Sequence, residues 1–369
     1  MKLSSLFFSA LNLAALASAY VVTPSVNTHL ESRANNLQPT VSSTDIVLSP
    51  SGGGTYPRIT HLADGSLLGG YTAFSGSTRI LTIVRSTDNG NTWTAWGTVA
   101  QGTGDLDNID LIQLANGHIV AAFRNHDLTG STYTFYRITT SVSTDNGKTW
   151  SFLSQVIQRA PSGVNGLWEP FLRNAKSGAL QVFFASENAS NDQDILMSTS
   201  TDGGLTWTGP ITAAGATTTG RDGMPACTDY TANGAAHVIC TFETTEGTAP
   251  LFNVKSVVST NDGTSWGERA QVFISAGKNA GSPFVTTTTA GTLVASFMTD
   301  EDNTASHAWP QGASMKIVTS LSTDPASWGQ KTTVLPISSL WPSVFARTDG
   351  TVLACADNGG VRCRSVSFS

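Results

Sequence analysis

One octapeptide pattern, Ser-x-Asp-x-Gly-x-Thr-Trp, recurs along this chain and restricts its fold more than any other feature. It reads Ser86-Thr-Asp-Asn-Gly-Asn-Thr-Trp93, Ser143-Thr-Asp-Asn-Gly-Lys-Thr-Trp150 and Ser200-Thr-Asp-Gly-Gly-Leu-Thr-Trp207, with a weaker copy at Ser259-Thr-Asn-Asp-Gly-Thr-Ser-Trp266 and a shortened one from Ser322 through Asp324 to Trp328. Each copy holds the parts of an anchored turn. Asp or Asn oxygens accept bonds from nearby backbone N–H groups, Gly takes a positive φ, and Trp seats its ring in a core. A second signal alternates with the first. Turns at Ala63-Asp64-Gly65, Ala115-Asn116-Gly117, Lys176-Ser177-Gly178, Ala232-Asn233-Gly234, Thr289-Ala290-Gly291 and Thr348-Asp349-Gly350 make six copies, each between apolar runs such as Leu67–Tyr71 and His118–Phe123. A period of about fifty to sixty residues suits one four-stranded blade of a β-propeller.

Six turns against five octapeptides point to an asymmetry at the ends. After Gly350 only two strands fit, Val352–Ala356 and Arg362–Phe368, so the sixth blade lacks an outer strand. The run Asp45–Leu48 can supply it, closing the ring with strands from both ends of the chain and removing sheet edges. The expected fold is an all-β, six-bladed β-propeller with four-stranded antiparallel blades, its ring closed by an N-terminal strand that joins the last blade. The octapeptide resembles the Asp-box of sialidase-like propellers over nearly the whole mature chain. That resemblance implies the fold and no single function, since enzymes, lectins and sorting receptors share it.

Composition narrows the partners. Only 12% of residues are charged, the net charge is −6, and Lys and Arg form no runs, which argues against nucleic acid and anionic membranes. Lys2, the apolar run Leu6–Leu16 and the small residues Ala17-Ser18-Ala19 read as a secretory signal too short to span a bilayer. The expected organisation is a signal peptide over 1–19, a flexible lead-in or propeptide over 20–40, and a propeller over 41–369. The protein is expected to be secreted and extracellular, and a monomer, because a closed propeller needs no partner. Four cysteines then suggest two disulfides. Cys227 and Cys240 lie symmetrically about Asn233-Gly234, and Cys355 and Cys363 about Gly359, so each pair should meet across two antiparallel strands.

Strand alternation puts both kinds of turn on one face. The other face receives the starts of the inner strands and the ends of the second strands, where a propeller builds its pocket. The inner-strand starts carry Arg58, Asp107 to Asp110, Trp168-Glu169-Pro170, Arg221 to Met224, Ser282 and Trp341. The second-strand ends carry Tyr71, Arg124 to Asp127, Glu187, Glu243, Glu246, Asp300-Glu301 and Asp357. Five of the seven Glu in the chain fall in this set, which solvated surface carboxylates would not do. Two carboxyl groups flanking a scissile bond are what a glycosidase commonly needs. Glu169 and Glu243 are the leading catalytic pair, since each sits in an apolar stretch that raises a carboxyl pKa. Arg58, Asp110, Arg124, Glu187, Arg221 and Asp222 are candidate sugar contacts, with Trp168 and Trp341 as stacking surfaces. Either Glu could instead be tied in a salt bridge to Arg58, Arg124 or Arg221.

The stretch Leu167-Trp168-Glu169-Pro170-Phe171-Leu172, set in a six-bladed Asp-box propeller, resembles glycoside hydrolase family 93. The resemblance implies a retaining exo-1,5-α-L-arabinanase that releases arabinobiose from the non-reducing end of linear arabinan. It matches Glu169 to the acid/base and Glu243 to the nucleophile. The residues alone leave that order open, with Glu246 as a fallback for the second position. Two other readings stand beside it. A sialidase would bind a substrate carboxylate with three arginines and use a late Tyr nucleophile. Arg58 and Arg221 resemble two of those arginines, but the fifth blade opens on Asn279-Ala-Gly-Ser-Pro-Phe284 and the last Tyr is Tyr230. A non-catalytic sugar-binding propeller would keep the Trp residues without needing apposed carboxylates. No cofactor is expected, and no His or Cys spacing suggests a metal. Asp105, Asp107 and Asp110 could hold Ca²⁺, or could serve sugar hydroxyls or solvent equally well. The one glycosylation sequon, Asn188-Ala189-Ser190, lies beside Glu187.

Overall fold

The computed structural model describes residues 37–246, 251–267, 269–305 and 308–369. The expected signal peptide and nearly all of the expected lead-in lie outside the described residues. Six antiparallel sheets form a ring. Blade I is Thr55–His61, Leu67–Ser75, Thr78–Ser86 and Thr94–Gly102, from the axis outward. Blade II is Asp105–Gln113, Ile119–Thr129, Thr132–Ser143 and Ser151–Arg159. Blade III is Leu167–Asn174, Leu180–Ala189, Asp192–Ser200 and Ile211–Ala214. Blade IV is Gly223–Ala232, Ala235–Thr244, Asn253–Ser259 and Ala270–Phe273. Blade V is Ala280–Thr287, Thr292–Thr299, Ser314–Leu321 and Asp324–Leu335. Blade VI is Leu340–Ala346, Val352–Asp357 and Val361–Phe368, completed from the N-terminal side.

That completion differs in detail from the single strand expected at Asp45–Leu48. Two short pieces share the edge: Pro39–Val41 pairs with Val366–Phe368, and Ile46–Val47 pairs with Arg362–Cys363. The ladder breaks between them because side chains take over. Ser42 accepts the Thr44 N–H at 3.1 Å, and Asp45 receives Arg364 at 2.8 Å.

Side-chain oxygens hold the turns that the octapeptide predicts. In the second copy, Ser143 donates to Asp145 at 2.8 Å, Thr149 N–H and hydroxyl donate to the two Asp145 oxygens at 2.9 and 2.6 Å, and Gly147 N–H reaches Ser143 at 2.9 Å. The first, third and fourth copies repeat the arrangement, with Asn261 standing in for Asp in the fourth. The shortened copy does not fold this way. Leu321 pairs with Asp324 across a two-residue hairpin, and Asp324 begins the outer strand. The truncated segment carries Pro325 and too few residues for the turn.

The core lies between blades. One cluster joins Leu68, Leu81 and Ile83 of blade I to Ile109, Leu111, Ile119 and Phe123 of blade II. Each fully buried Leu or Ile of this kind contributes about 1.5–3 kcal/mol. Both expected disulfides form between partners in register, Cys227 with Cys240 and Cys355 with Cys363, each with Cα atoms 4.0 Å apart.

Candidate active site

Every inner strand breaks its register at the same point, near its start. A non-glycine residue with φ near +50° sits at each break: Tyr56, Asn108, Glu169, Met224, Ser282 and Trp341. A bulge with a left-handed residue re-aims the side chain it carries. Five of the six precede a proline, and Asn108 precedes Ile109. The ring therefore presents six re-aimed side chains on the face opposite the Asp-box turns, and Glu169 is the one carboxylate among them.

Glu243 reaches the same place from the end of a second strand. It lies in register with Gly223, and its Oε2 accepts the Ser282 N–H at 2.6 Å. Glu169 Oε2 accepts the Met224 N–H at 3.4 Å. The two carboxyl groups thus flank the Gly223–Met224 step and line one cavity of about 110 Å³ with Trp168, Glu187, Gln193, Arg221 and Phe252. Both are half-buried. Burial raises each carboxyl to about 7, and for Glu243 the neighbouring Glu169 charge adds to the rise. Two interacting carboxyls in this range titrate as a pair, so one proton is shared between them near neutrality. Opposing burial, the Arg124 charge and the Met224 N–H favour the ionised form of Glu169, and the Ser282 N–H favours that of Glu243.

The expected contacts divide into those that reach this cavity and those that do not. Arg221 lines it, donating to Glu187 at 2.8 Å and Gln193 at 3.0 Å. Glu187 also accepts the Gly166 N–H at 2.9 Å. Trp168 lines it too, but its ring is fixed edge-on among His126, Tyr133 and Tyr136 with Arg124 over it, which limits its use as an open stacking surface. Arg124 is buried between Asp105 and Asp107, at 3.0 and 3.5 Å. Trp341 stacks on Tyr56 with centroids 4.9 Å apart, a pairing that gives the axial mouth an aromatic wall.

Other expected residues do not line this cavity. Asp222 is fully buried and paired with Arg269 at 2.6 Å, so it supports the wall and does not touch the cavity. Asp110 accepts the Leu172 N–H at 2.7 Å, and burial lifts it to about 6. Arg58 is buried with its guanidinium over Phe284 and donates to the Pro57 carbonyl at 2.7 Å. Glu246, the fallback, is held by Lys255 and Arg269. The Ca²⁺ reading of Asp105 and Asp107 gives way to ion pairs, since Arg79 reaches both at 2.5 and 2.6 Å in addition to Arg124.

Phe252 was missed by the sequence reading, as was Trp309. A Cβ on Gly281 would lie 2.4 Å from Glu243 Oε2 and 3.2 Å from the Trp309 ring, so the indole stands beside the carboxylate. The available signal was loop length. The second and third strands join through two residues in blades I to III, but through 245–252 in blade IV and 300–313 in blade V.

Fold and site together define an Asp-box six-bladed β-propeller with two carboxyl groups at its axial mouth. In sequence, residues 70–219 match the model of the BNR repeat-like domain, a stretch that holds the first three octapeptides. Comparison with proteins of curated function gives no match. In structure, the chain is similar to the family 93 α-L-arabinofuranosidase of Fusarium graminearum in complex with arabinobiose, at 21% identity and a TM-score of 0.67, covering 89% of this chain and 98% of that one. It is similar to the Penicillium chrysogenum α-L-arabinanase complexed with arabinobiose, at 20% identity and a TM-score of 0.68, over 89% and 98% of the two chains. Similarity to the NanB sialidase of Streptococcus pneumoniae is lower, at 10% identity and a TM-score of 0.56, over 90% of this chain and 70% of that one.

Proposed function

We propose that this protein is a secreted glycoside hydrolase that cleaves α-1,5-linked L-arabinan from the non-reducing end and releases arabinobiose with retention of configuration. The observation that carries the reading is the Glu169–Glu243 pair, two half-buried carboxyls raised to about 7 across one cavity. Such a pair supplies one protonated and one ionised carboxyl at the same pH. Glu243 attacks the anomeric carbon while Glu169 gives its proton to the leaving oxygen. Water then releases the glycosyl group from Glu243 and returns a proton to Glu169. Retention calls for carboxyl groups about 5–5.5 Å apart. Arabinobiose in the family 93 structures of the same fold supports the substrate class. So does charge, since Arg124 and Arg221 are already paired with carboxylates and offer an anionic sugar little. The long connections of blades IV and V, carrying Phe252 and Trp309, suit a groove walled on one side, as exo attack requires. Two disulfides suit an oxidising, extracellular setting.

The test is product analysis on debranched arabinan. Arabinobiose alone from the first time points is expected, and a mixture of lengths or no release would overturn the reading. Glu169→Gln should lower turnover about 10²–10⁴-fold without lowering the melting temperature. Full activity in that variant would remove Glu169 from the reaction.

A further inference from the structure

Each complete Asp-box turn seats on the first turn of the preceding blade. In blade I, Asn89 donates to Asp349 at 3.0 Å and Gly90 lies against Leu353. In blade II, Gly147 lies against Leu68 and Asn146 reaches Asp64 at 3.5 Å. In blade III, Gly203 approaches Leu114. In blade IV, Asp262 accepts the N–H groups of Lys176 and Ser177, both at 3.2 Å, and pairs with Arg173 at 2.6 Å. Blade V breaks the series. Its two-residue hairpin, Ser322–Thr323, is too short to cover the first turn of blade IV.

The uncovered space is a groove of about 560 Å³ lined by Tyr230, Asn233, Thr287, Thr289, Ser322 and Lys176, among others. It lies on the face opposite Glu169 and Glu243, about 25 Å away at roughly 3.3 Å per strand residue. An adjoining, more apolar hollow shares Tyr230 and Asn233 and runs to Pro325. Tyr230 is 5% exposed, its ring stacks on His237 at 5.2 Å, and its hydroxyl makes no hydrogen bond among the described residues. The lining is hydroxyls and amides, and its carboxylate, Asp229, is already paired with Arg173 at 2.5 Å.

We infer that this groove is a second, non-catalytic binding site for a strand of neutral polysaccharide. Hydroxyl and amide groups match sugar hydroxyls, the adjoining hollow with Val258, Ala270, Pro325 and Ala326 offers an apolar side for a sugar face, and one lysine gives a polyanion too little to hold. A site so far from the reacting carboxyls keeps the protein on a polymer without occupying the cavity, raising the local concentration of chain ends.

The experiment is native electrophoresis through gels containing debranched arabinan, linear galactan or xylan, using Glu169→Gln protein so that no polymer is consumed. At least one polymer should retard this protein. Ser322→Trp, which fills the groove, should raise the apparent Kd at least fivefold, and Tyr230→Phe about threefold. If Ser322→Trp melts early, Tyr230→Phe decides alone. Unchanged retardation in the variants, or no retardation by any of the three polymers, overturns the site. Groove-dependent retardation by a polymer, alongside wild-type protein that leaves arabinan intact, would keep this site and remove the reading of the carboxyl pair.

Discussion

A φ of +44° at Glu169 is expensive for a side chain with a Cβ, about 1–3 kcal/mol at such a position. The bulge aims the carboxyl at Glu243. Gly281 meets the complementary demand on the other side of the pair, where only a hydrogen fits beside Glu243 Oε2. Gly281→Ala should displace that carboxylate and lower kcat about 100-fold, with the variant still folded by circular dichroism. The pair also sets a pH dependence of stability. Glu169 and Glu243 bind protons more tightly in the folded chain, at about 7 against the ordinary 4.5. Between those values the folded state holds more protons than the unfolded one, so stability falls as pH rises. Glu169→Gln removes one share of that loss. Its melting temperature relative to wild type should climb between pH 5 and pH 8, reflecting up to about 3 kcal/mol. A difference independent of pH would contradict a raised Glu169. These two residues were legible because apolar neighbours and crowding of Glu marked them. Asp222 and Glu246 sat in the same window of sequence, but their partners, Lys255 on the next strand of the blade and Arg269 just ahead of its outer strand, reach them only once the blade folds, which sequence spacing does not reveal.

Among the elements, turns carry more information than strands. The octapeptide specifies its own hydrogen bonds, which is why four of its copies fold alike wherever they occur. Asp145 accepts from Ser143, Lys148 and Thr149, and these bonds hold its carboxyl down at about 2. Asp145→Ala should lower the melting temperature by about 2–4 °C without changing turnover, because the turn faces away from the cavity. Lost activity would mean that the blade II turn is coupled to the site. The fifth copy shows the limit of such reading. It keeps Ser322, Asp324 and Trp328, yet the missing residues convert a turn into a hairpin. The bulges were hidden for the opposite reason. Residues that precede proline are ordinarily read as plain extended backbone, and the X-Pro steps of the inner strands gave no hint of a left-handed residue.

For the whole molecule, six repeats and an incomplete last blade made the ring legible, and the pairing of both chain ends followed from counting. The exact edge did not, because Pro39–Val41 is a three-residue strand with no alternation to detect. Removing the chain ahead of Leu48 would strip both edge pieces and bare Val361–Phe368 to solvent. That truncation should melt below any single-turn variant and aggregate at high concentration, read by calorimetry and light scattering. A truncated chain as stable as the parent would show that the closing contacts add little.

The same closure imposes an order in time. Asp45 waits for Arg364, a partner 319 positions later, and Ser49 accepts the Val361 N–H from 312 positions on. During synthesis the first-made edge has no strand to join until the last blade leaves the ribosome. Blades I to V can assemble as they emerge, but the seam is sewn only afterwards, so a chain halted before residue 361 is left as an open arc with both edges free to find the wrong mate.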